Sequence, residues 1–147
     1  MLSRLIVMSR FCYRPSFGLL LIRVVTGLIF IHHGLMKFTN VDGTLGFMGG
    51  LGIPAPLAYL AMTVEVLGGL MLVFGFMTRA AGVATGIVAL VAALDAVIPM
   101  KGVLGAEFEL LLAAVSFGLA FIGSGRMRVF DVFEHDEFST SDDGTIP

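Results

Sequence analysis

Apolar positions along the chain fall into four long runs, separated by shorter stretches that contain charged residues, glycine or proline. A run of about 20 apolar residues is long enough to cross a bilayer as one helix. The pattern therefore predicts membrane spans at about residues 17–37, 57–77, 80–98 and 106–123. Because each span crosses the bilayer once, consecutive spans should run in opposite directions. The predicted fold is all-α, an integral membrane, antiparallel four-helix bundle.

The segments around these spans have different compositions. Residues 1–16 are predicted to lie at the membrane interface, and the acidic residues 126–147 to form a largely disordered tail. The connection between the first two spans is rich in glycine and contains Pro54 and Pro56, so no continuous helix is expected there. Its apolar residues place this loop on the outer rim of the bundle. The four-helix domain is thus predicted to cover residues 17–125.

The distribution of basic residues predicts the direction of the chain across the membrane. One end of the predicted bundle has only Lys37 and Lys101, whereas the other carries six arginines: Arg4, Arg10, Arg14, Arg79, Arg126 and Arg128. Basic residues near span ends are enriched on the cytoplasmic side. Both termini, and therefore the interfacial segment and the acidic tail, are predicted to be cytoplasmic.

Composition supports a membrane protein and excludes several other classes. The chain has 147 residues, of which 57% are hydrophobic and only 14% charged, and its mean hydropathy is +0.98. The net charge of −2, with no basic patch, argues against a nucleic-acid partner. Cys12 is the one cysteine, so a disulfide or a CxxC redox pair within the chain is excluded.

The first span combines an apolar sequence with a stripe of polar residues. Helical steps of about 100° place one group on a common face, with His32 pointing away from it: Arg23, Thr26, Gly27, Phe30, His33, Gly34 and Lys37. An arginine in the middle of a membrane helix costs roughly 2.5–3.5 kcal/mol, so it faces protein or water near a counter-charge. Other spans must therefore supply acidic partners.

Glu65 in the second span and Glu109 in the fourth are the candidate partners, at similar depth in the bilayer. We expect Arg23 to reach Glu65 or Thr26, and Lys37 or His33 to reach Glu109. The two glutamates either neutralise these cations or share a proton as a carboxylate pair. His33 either relays protons and binds a ligand oxygen or simply satisfies a neighbour.

Asp95 and Glu107 are additional candidates for this charge cluster, although both are expected near the water boundary. Small residues share a face with the polar groups in the first two spans and form a ridge in the third, which predicts close helix packing. The glycines expected at these contacts are Gly27, Gly34, Gly68, Gly69, Gly82 and Gly86.

The motif R-x-x-T-G-x-x-F-x-x-H-G-x-x-K, from Arg23 to Lys37, resembles the signature of the DoxX family. Further motifs follow in the order that this family has. They are Glu65 before Gly68 and Gly69, GFMTR at residues 75–79, GAEFELLL at 105–112 and GSGR at 123–126. The resemblance covers residues 17 to about 133. The chain departs from the family in the last span, where Leu110 follows Glu109 in place of proline.

This resemblance implies a small four-helix protein of the bacterial cytoplasmic membrane, with relatives in quinone-linked oxidoreductases or thiol redox balance. It leads to a first hypothesis, a membrane subunit or partner of a redox system, with quinone as the candidate cofactor and an oxidoreductase as partner. The alternatives are a non-catalytic scaffold or assembly factor and, with least support, a proton-coupled carrier of small solutes that would require a homo-oligomer. The sequence identifies no catalytic residue and predicts no metal, haem or nucleotide site.

Overall fold

The computed structural model describes residues 15–125, and every regular element in this range is helical. The elements are α1 (Pro15–Thr39), α2 (Val41–Gly50), α3 (Ala55–Phe74), α4 (Thr78–Val91), a π-helical turn (Ala92–Val97), α5 (Ile98–Lys101), a 3₁₀ turn (Val103–Ala106) and α6 (Glu107–Ile122). The predicted interfacial segment up to residue 14, with Cys12, and the predicted acidic tail lie outside the described residues.

Four helical stretches in the described range are long and apolar enough to cross a membrane. They are Ser16–Thr39, Ala55–Phe74, Thr78–Lys101 and Val103–Ile122, close to the predicted spans. The predicted fold class, an all-α membrane bundle, is therefore confirmed. The helices themselves do not set a direction across the bilayer, so the cytoplasmic position of both termini stays a prediction.

The connection between the first two spans contains a helix that the sequence analysis missed. The loop expected there is interrupted by α2, which packs against α1 and α3. Asn40 caps this helix by accepting a hydrogen bond from the Gly43 amide at 3.1 Å, and the Thr44 hydroxyl donates to the Asn40 carbonyl at 2.9 Å. A side-chain cap offsets part of the low helix propensity of glycine, which explains why the helix forms.

The bundle is built from two tightly packed helix pairs, α1 with α3 and α4 with α6, and α3 joins the pairs by packing on α4. In the first pair, Gly27 and Gly69 face each other. A Cβ atom added at either glycine would lie 2.6 Å from the carbonyl oxygen of the other. Helix backbones approach this closely only where both contacting residues are small.

The other predicted packing glycines also lie at helix contacts. At Gly34 an added Cβ would lie 2.6 Å from Val66 Cγ2, and at Gly68 it would lie 2.6 Å from Thr85 Cγ2. At Gly82 it would lie 2.6 Å from the Ser116 carbonyl oxygen, and at Gly86 3.0 Å from the Phe117 ring. Glycine therefore sets the spacing inside both pairs and between them. This spacing fixes which side chains can meet inside the bundle.

The first prediction concerns the contact between α1 and α3. Gly27→Ala should destabilise the protein by about 1–3 kcal/mol, because the new methyl group would overlap with the Gly69 carbonyl oxygen and the Val73 side chain. Thermal unfolding of the purified protein in mild detergent measures the effect as a lower melting temperature. Gly18→Ala is the matched control, since it lies in the same helix with nothing within 4 Å of the added Cβ. Equal melting temperatures for the two variants would contradict the packing assignment.

Candidate functional site

A cavity of about 1110 Å³ lies at the end of the bundle where α1 finishes and α3 and α6 begin, which we call the Lys37 end. All four spans and α2 contribute to its walls. Most of the lining is apolar, and the charged and imidazole groups in it are Lys37, Glu65, Glu109, Asp95, His32 and His33. A large apolar cavity with a few convergent polar groups is the usual form of a small-molecule site.

Lys37 and Glu65 form an ion pair in this cavity, with Lys37 Nζ donating to Glu65 Oε1 at 2.5 Å. Glu65 is buried in the middle of α3, at 4% exposure, whereas the Lys37 side chain is 26% exposed. Lys37 lies in the last turn of α1, where the helix dipole favours a cation. The other carboxylate oxygen of Glu65 is buried and receives no hydrogen bond from residues 15–125. The pair thus neutralises the buried charge but leaves one acceptor unused.

Glu109 lines the same cavity from the first turn of α6. It is partly exposed, its Oε2 atom is buried, and within the described range the carboxylate accepts no hydrogen bond and joins no ion pair. An ionisable side chain inside a membrane span is costly unless it is paired or faces a polar cavity. Glu109 is therefore a partly buried acid of the cavity whose charge no cation among the described residues compensates directly.

The two histidines lie beside each other at the cavity. The His33 ring stacks on the Phe108 ring with centroids 5.7 Å apart and planes at 28°, and the His32 ring meets His33 edge-on at 6.1 Å. Both histidines are exposed and both line the cavity. Steps of about 100° per residue predict that His32 lies on the opposite face of α1 from His33. The width of the cavity, which extends around α1, brings both rings to it.

Asp95 also lines the cavity, because the helix that carries it is not a regular α-helix at this point. Residues 92–97 form a π-helical turn directly before Pro99. Proline has no N–H to donate to the carbonyl four residues earlier, which is that of Asp95. Such turns change the direction of the following side chains and are frequent at functional sites. Glu107, by contrast, is exposed and lies outside the cavity lining.

Arg23 and Thr26 lie towards the opposite end of α1, which we call the Arg23 end. Arg23 is only 1% exposed, and its Nη1 atom donates to the Ser124 carbonyl oxygen at 2.6 Å, just beyond α6. Its guanidinium also covers Gly75, where an added Cβ would lie 2.7 Å from Nη1 and where φ is +75°. Arg23 therefore holds together the turn after α3 and the end of α6. Thr26 is buried next to it on the helix, at 6% exposure.

The ion pair that forms differs from the expected pairs. We expected Arg23 to contact Glu65 or Thr26. Instead, Lys37 forms the ion pair with Glu65, and Arg23 donates a hydrogen bond to the Ser124 carbonyl oxygen. Arg23 and Lys37 are fourteen residues apart, about 21 Å along α1. The two cations therefore serve opposite ends of the bundle. His33, expected near Glu109, instead stacks on Phe108, the residue before it.

The described residues also limit what the cavity can bind. In residues 15–125, no group of three or more His, Cys, Asp and Glu side chains converges as a metal site would require. The cavity offers one ammonium group, two imidazoles, three carboxylates and extensive apolar walls. Such a lining suits an amphipathic molecule with an oxygen-bearing head and a hydrophobic tail.

Comparison with known proteins gives a family and several named relatives. Residues 18–97 match the family model described as DoxX. The chain is 39% identical over 116 residues to the Bacillus subtilis protein named "Putative oxidoreductase CatD", covering 79% of this chain and 86% of that protein. It is 41% identical over 63 residues to the Escherichia coli inner membrane protein YphA, covering 42% of this chain and 45% of that protein.

A second Escherichia coli relative, inner membrane protein YqjF, is 37% identical over 62 residues, which are 42% of this chain and 48% of that protein. No solved structure matches the chain. The segments shared with both E. coli proteins are shorter than the segment shared with the Bacillus protein. Of these three relatives, the Bacillus protein therefore has the longest aligned segment.

The second prediction concerns the contribution of the Lys37–Glu65 ion pair to the stability of the protein. Lys37→Met should lower the free energy of unfolding by about 1–3 kcal/mol, because it leaves the Glu65 carboxylate buried without its cation. The double variant Lys37→Met/Glu65→Met should recover most of this loss, since an apolar pair of similar volume replaces a buried ion pair at little cost. Thermal unfolding in detergent measures all three proteins.

Lys101→Met is the control for the loss of a positive charge, because Lys101 is exposed at the same end of the bundle. It should melt like the wild type. If Lys37→Met melted like Lys101→Met, or if the double variant were less stable than the single one, the ion pair would not carry the stability assigned to it.

Proposed function

Because this chain belongs to the DoxX family of membrane proteins, we propose that it is the membrane subunit of a quinone-linked redox system. It is a multi-pass bacterial inner membrane protein. The observation that carries the proposal is the cavity at the Lys37 end, in which charged groups converge between apolar walls. The name of the Bacillus relative, an oxidoreductase, supports the same reaction class.

The lining of the cavity fits a quinone on three counts. Its volume of about 1110 Å³ is at the upper end of small-molecule sites, which suits a ring with part of an isoprenoid tail. Its apolar side chains, contributed by all four spans, match the ring faces and the tail. The Lys37 ammonium has three N–H donors and uses one on Glu65 Oε1, so it can also donate to a ligand oxygen.

A bound quinone would supply the capacity to carry two electrons together with two protons. This chain's residues would hold and orient it: Lys37 donates to one ring oxygen, and the carboxylates of Glu65 and Glu109 stand ready to hold protons at the same head group. In this proposal the electrons pass to or from a partner oxidoreductase that docks on the bundle. The predicted orientation would put the cavity in the outer half of the membrane.

The third prediction tests ligand binding directly. Protein purified from native membranes in mild detergent should retain quinone, measured by solvent extraction and chromatography. The double variant Lys37→Met/Glu65→Met should retain at least tenfold less, because it removes the donor and the buried acid while keeping the volume of the site. Proteins that copurify with the wild type are identified by mass spectrometry in the same preparation.

Lys101→Met is again the matched control and should retain as much quinone as the wild type. A wild-type protein with neither bound quinone nor an oxidoreductase partner would refute the proposed function. A folded double variant that kept its quinone would refute the assigned site. If, in addition, the double variant supported normal partner abundance, the scaffold alternative would become the better account.

A further inference from the structure

The charged groups of the cavity are unbalanced in favour of carboxylates. Its lining contains three carboxylates, Glu65, Glu109 and Asp95, but only one ammonium group, that of Lys37. An ionised carboxylate can only accept hydrogen bonds, and it offers about four lone-pair positions. The ammonium is already shared with Glu65. A ligand that brings hydrogen-bond donors would satisfy groups that the described bundle leaves unsatisfied.

Glu109 is the acceptor for which this matters most. Its carboxylate accepts no hydrogen bond within residues 15–125, and its Oε2 atom is buried. It also lies in the first turn of α6, where the amides at the start of a helix stabilise a negative charge. Glu65 Oε2 is likewise buried and accepts no hydrogen bond from the described residues. Two carboxylates at one cavity therefore each have an unused buried acceptor.

The oxidised and reduced forms of a quinone differ in hydrogen-bond donation, because only the reduced form carries O–H groups. A quinone carbonyl only accepts hydrogen bonds, so it can use Lys37 but would place its own lone pairs against those of Glu109. A quinol hydroxyl both accepts and donates, so it can accept from Lys37 and donate to a carboxylate. Burying a polar group without a partner is costly, so the two forms should bind with different affinities.

We propose that this cavity selects the reduced, dihydroxy form of the quinone, with Glu109 accepting a hydrogen bond from a ligand hydroxyl. This inference rests on the proposed function and adds to it the redox state of the bound ligand. Preferential binding of the quinol stabilises the reduced member of the couple, so the bound couple has a higher reduction potential than the free one. For a two-electron couple, each tenfold preference in affinity corresponds to about 30 mV.

The fourth prediction compares three probes on the full chain in lipid nanodiscs under anaerobic conditions. The probes are a benzoquinone with a decyl tail, its quinol, and the dimethyl ether of that quinol, which has the same ring and tail but no O–H donor. Calorimetric titration, corrected for partition into empty nanodiscs, should show the quinol binding at least tenfold more tightly than the quinone or the ether. Glu109→Gln should reduce this preference to threefold or less, because an amide presents donors as well as an acceptor.

Glu107→Gln is the matched control, since Glu107 lies two residues away on α6, is exposed and does not line the cavity. It should keep the full preference. Loss of the preference in both variants would overturn the role of Glu109. The comparison of quinol with ether uses wild-type protein alone, so it tests donor selection even if Glu109→Gln does not fold.

The outcomes also separate this inference from the proposed function. Binding of the quinone and the quinol with equal affinity would overturn the selection of the reduced form while leaving a quinone site in place. Tighter binding of the quinone would overturn it too and would indicate that Glu109 holds a proton and acts as a donor. No binding of any probe to the wild type would refute both the inference and the site on which it depends.

Discussion

The structure depends on compensating one negative charge inside an apolar bundle. Glu65 lies in the middle of α3 and is almost fully buried. Burying a carboxylate there without a cation would carry a very large free-energy cost. Lys37 reaches it from the last turn of α1, which is possible because the helices of this pair approach each other closely at Gly27, Gly34 and Gly69. The glycine contacts and the ion pair thus depend on each other. Wider helix spacing would separate the charges, and loss of the cation would leave the acid buried alone.

Much of this architecture could be predicted from the sequence, because the bilayer imposes strong rules on a chain. Four apolar runs of sufficient length specify four helices, and small residues repeating at helical spacing indicate where they touch. Such rules act locally along one helix. They therefore indicated the polar face of the first span and the acids of the second and fourth, but not which cation would meet which acid. That choice between Arg23 and Lys37 depends on the relative heights of three helices.

Two further features could not be predicted from regular helical geometry. The helix α2 forms despite its glycines because Asn40 caps it and two neighbouring spans support it. The π-helical turn brings Asp95 to the cavity, whereas the sequence predicted a position near the water boundary. The local signal for the irregular turn is Pro99, which lacks the N–H that a regular helix would need there. Both irregular features lie at the Lys37 end, where the bundle opens into its cavity.

The polar face of the first span makes different contacts at the two ends of α1. At the Arg23 end, a buried guanidinium binds the Ser124 backbone and covers Gly75, so the polar group serves to join neighbouring turns. At the Lys37 end, the cation meets a carboxylate whose second oxygen stays unused, and another acid stands nearby without a cation of its own. The Arg23 guanidinium is almost fully buried, donates to a backbone carbonyl and does not line the cavity. A single lysine among three carboxylates leaves negative charge in excess at the Lys37 end, so the two ends of α1 differ in their charge balance as well as in their contacts.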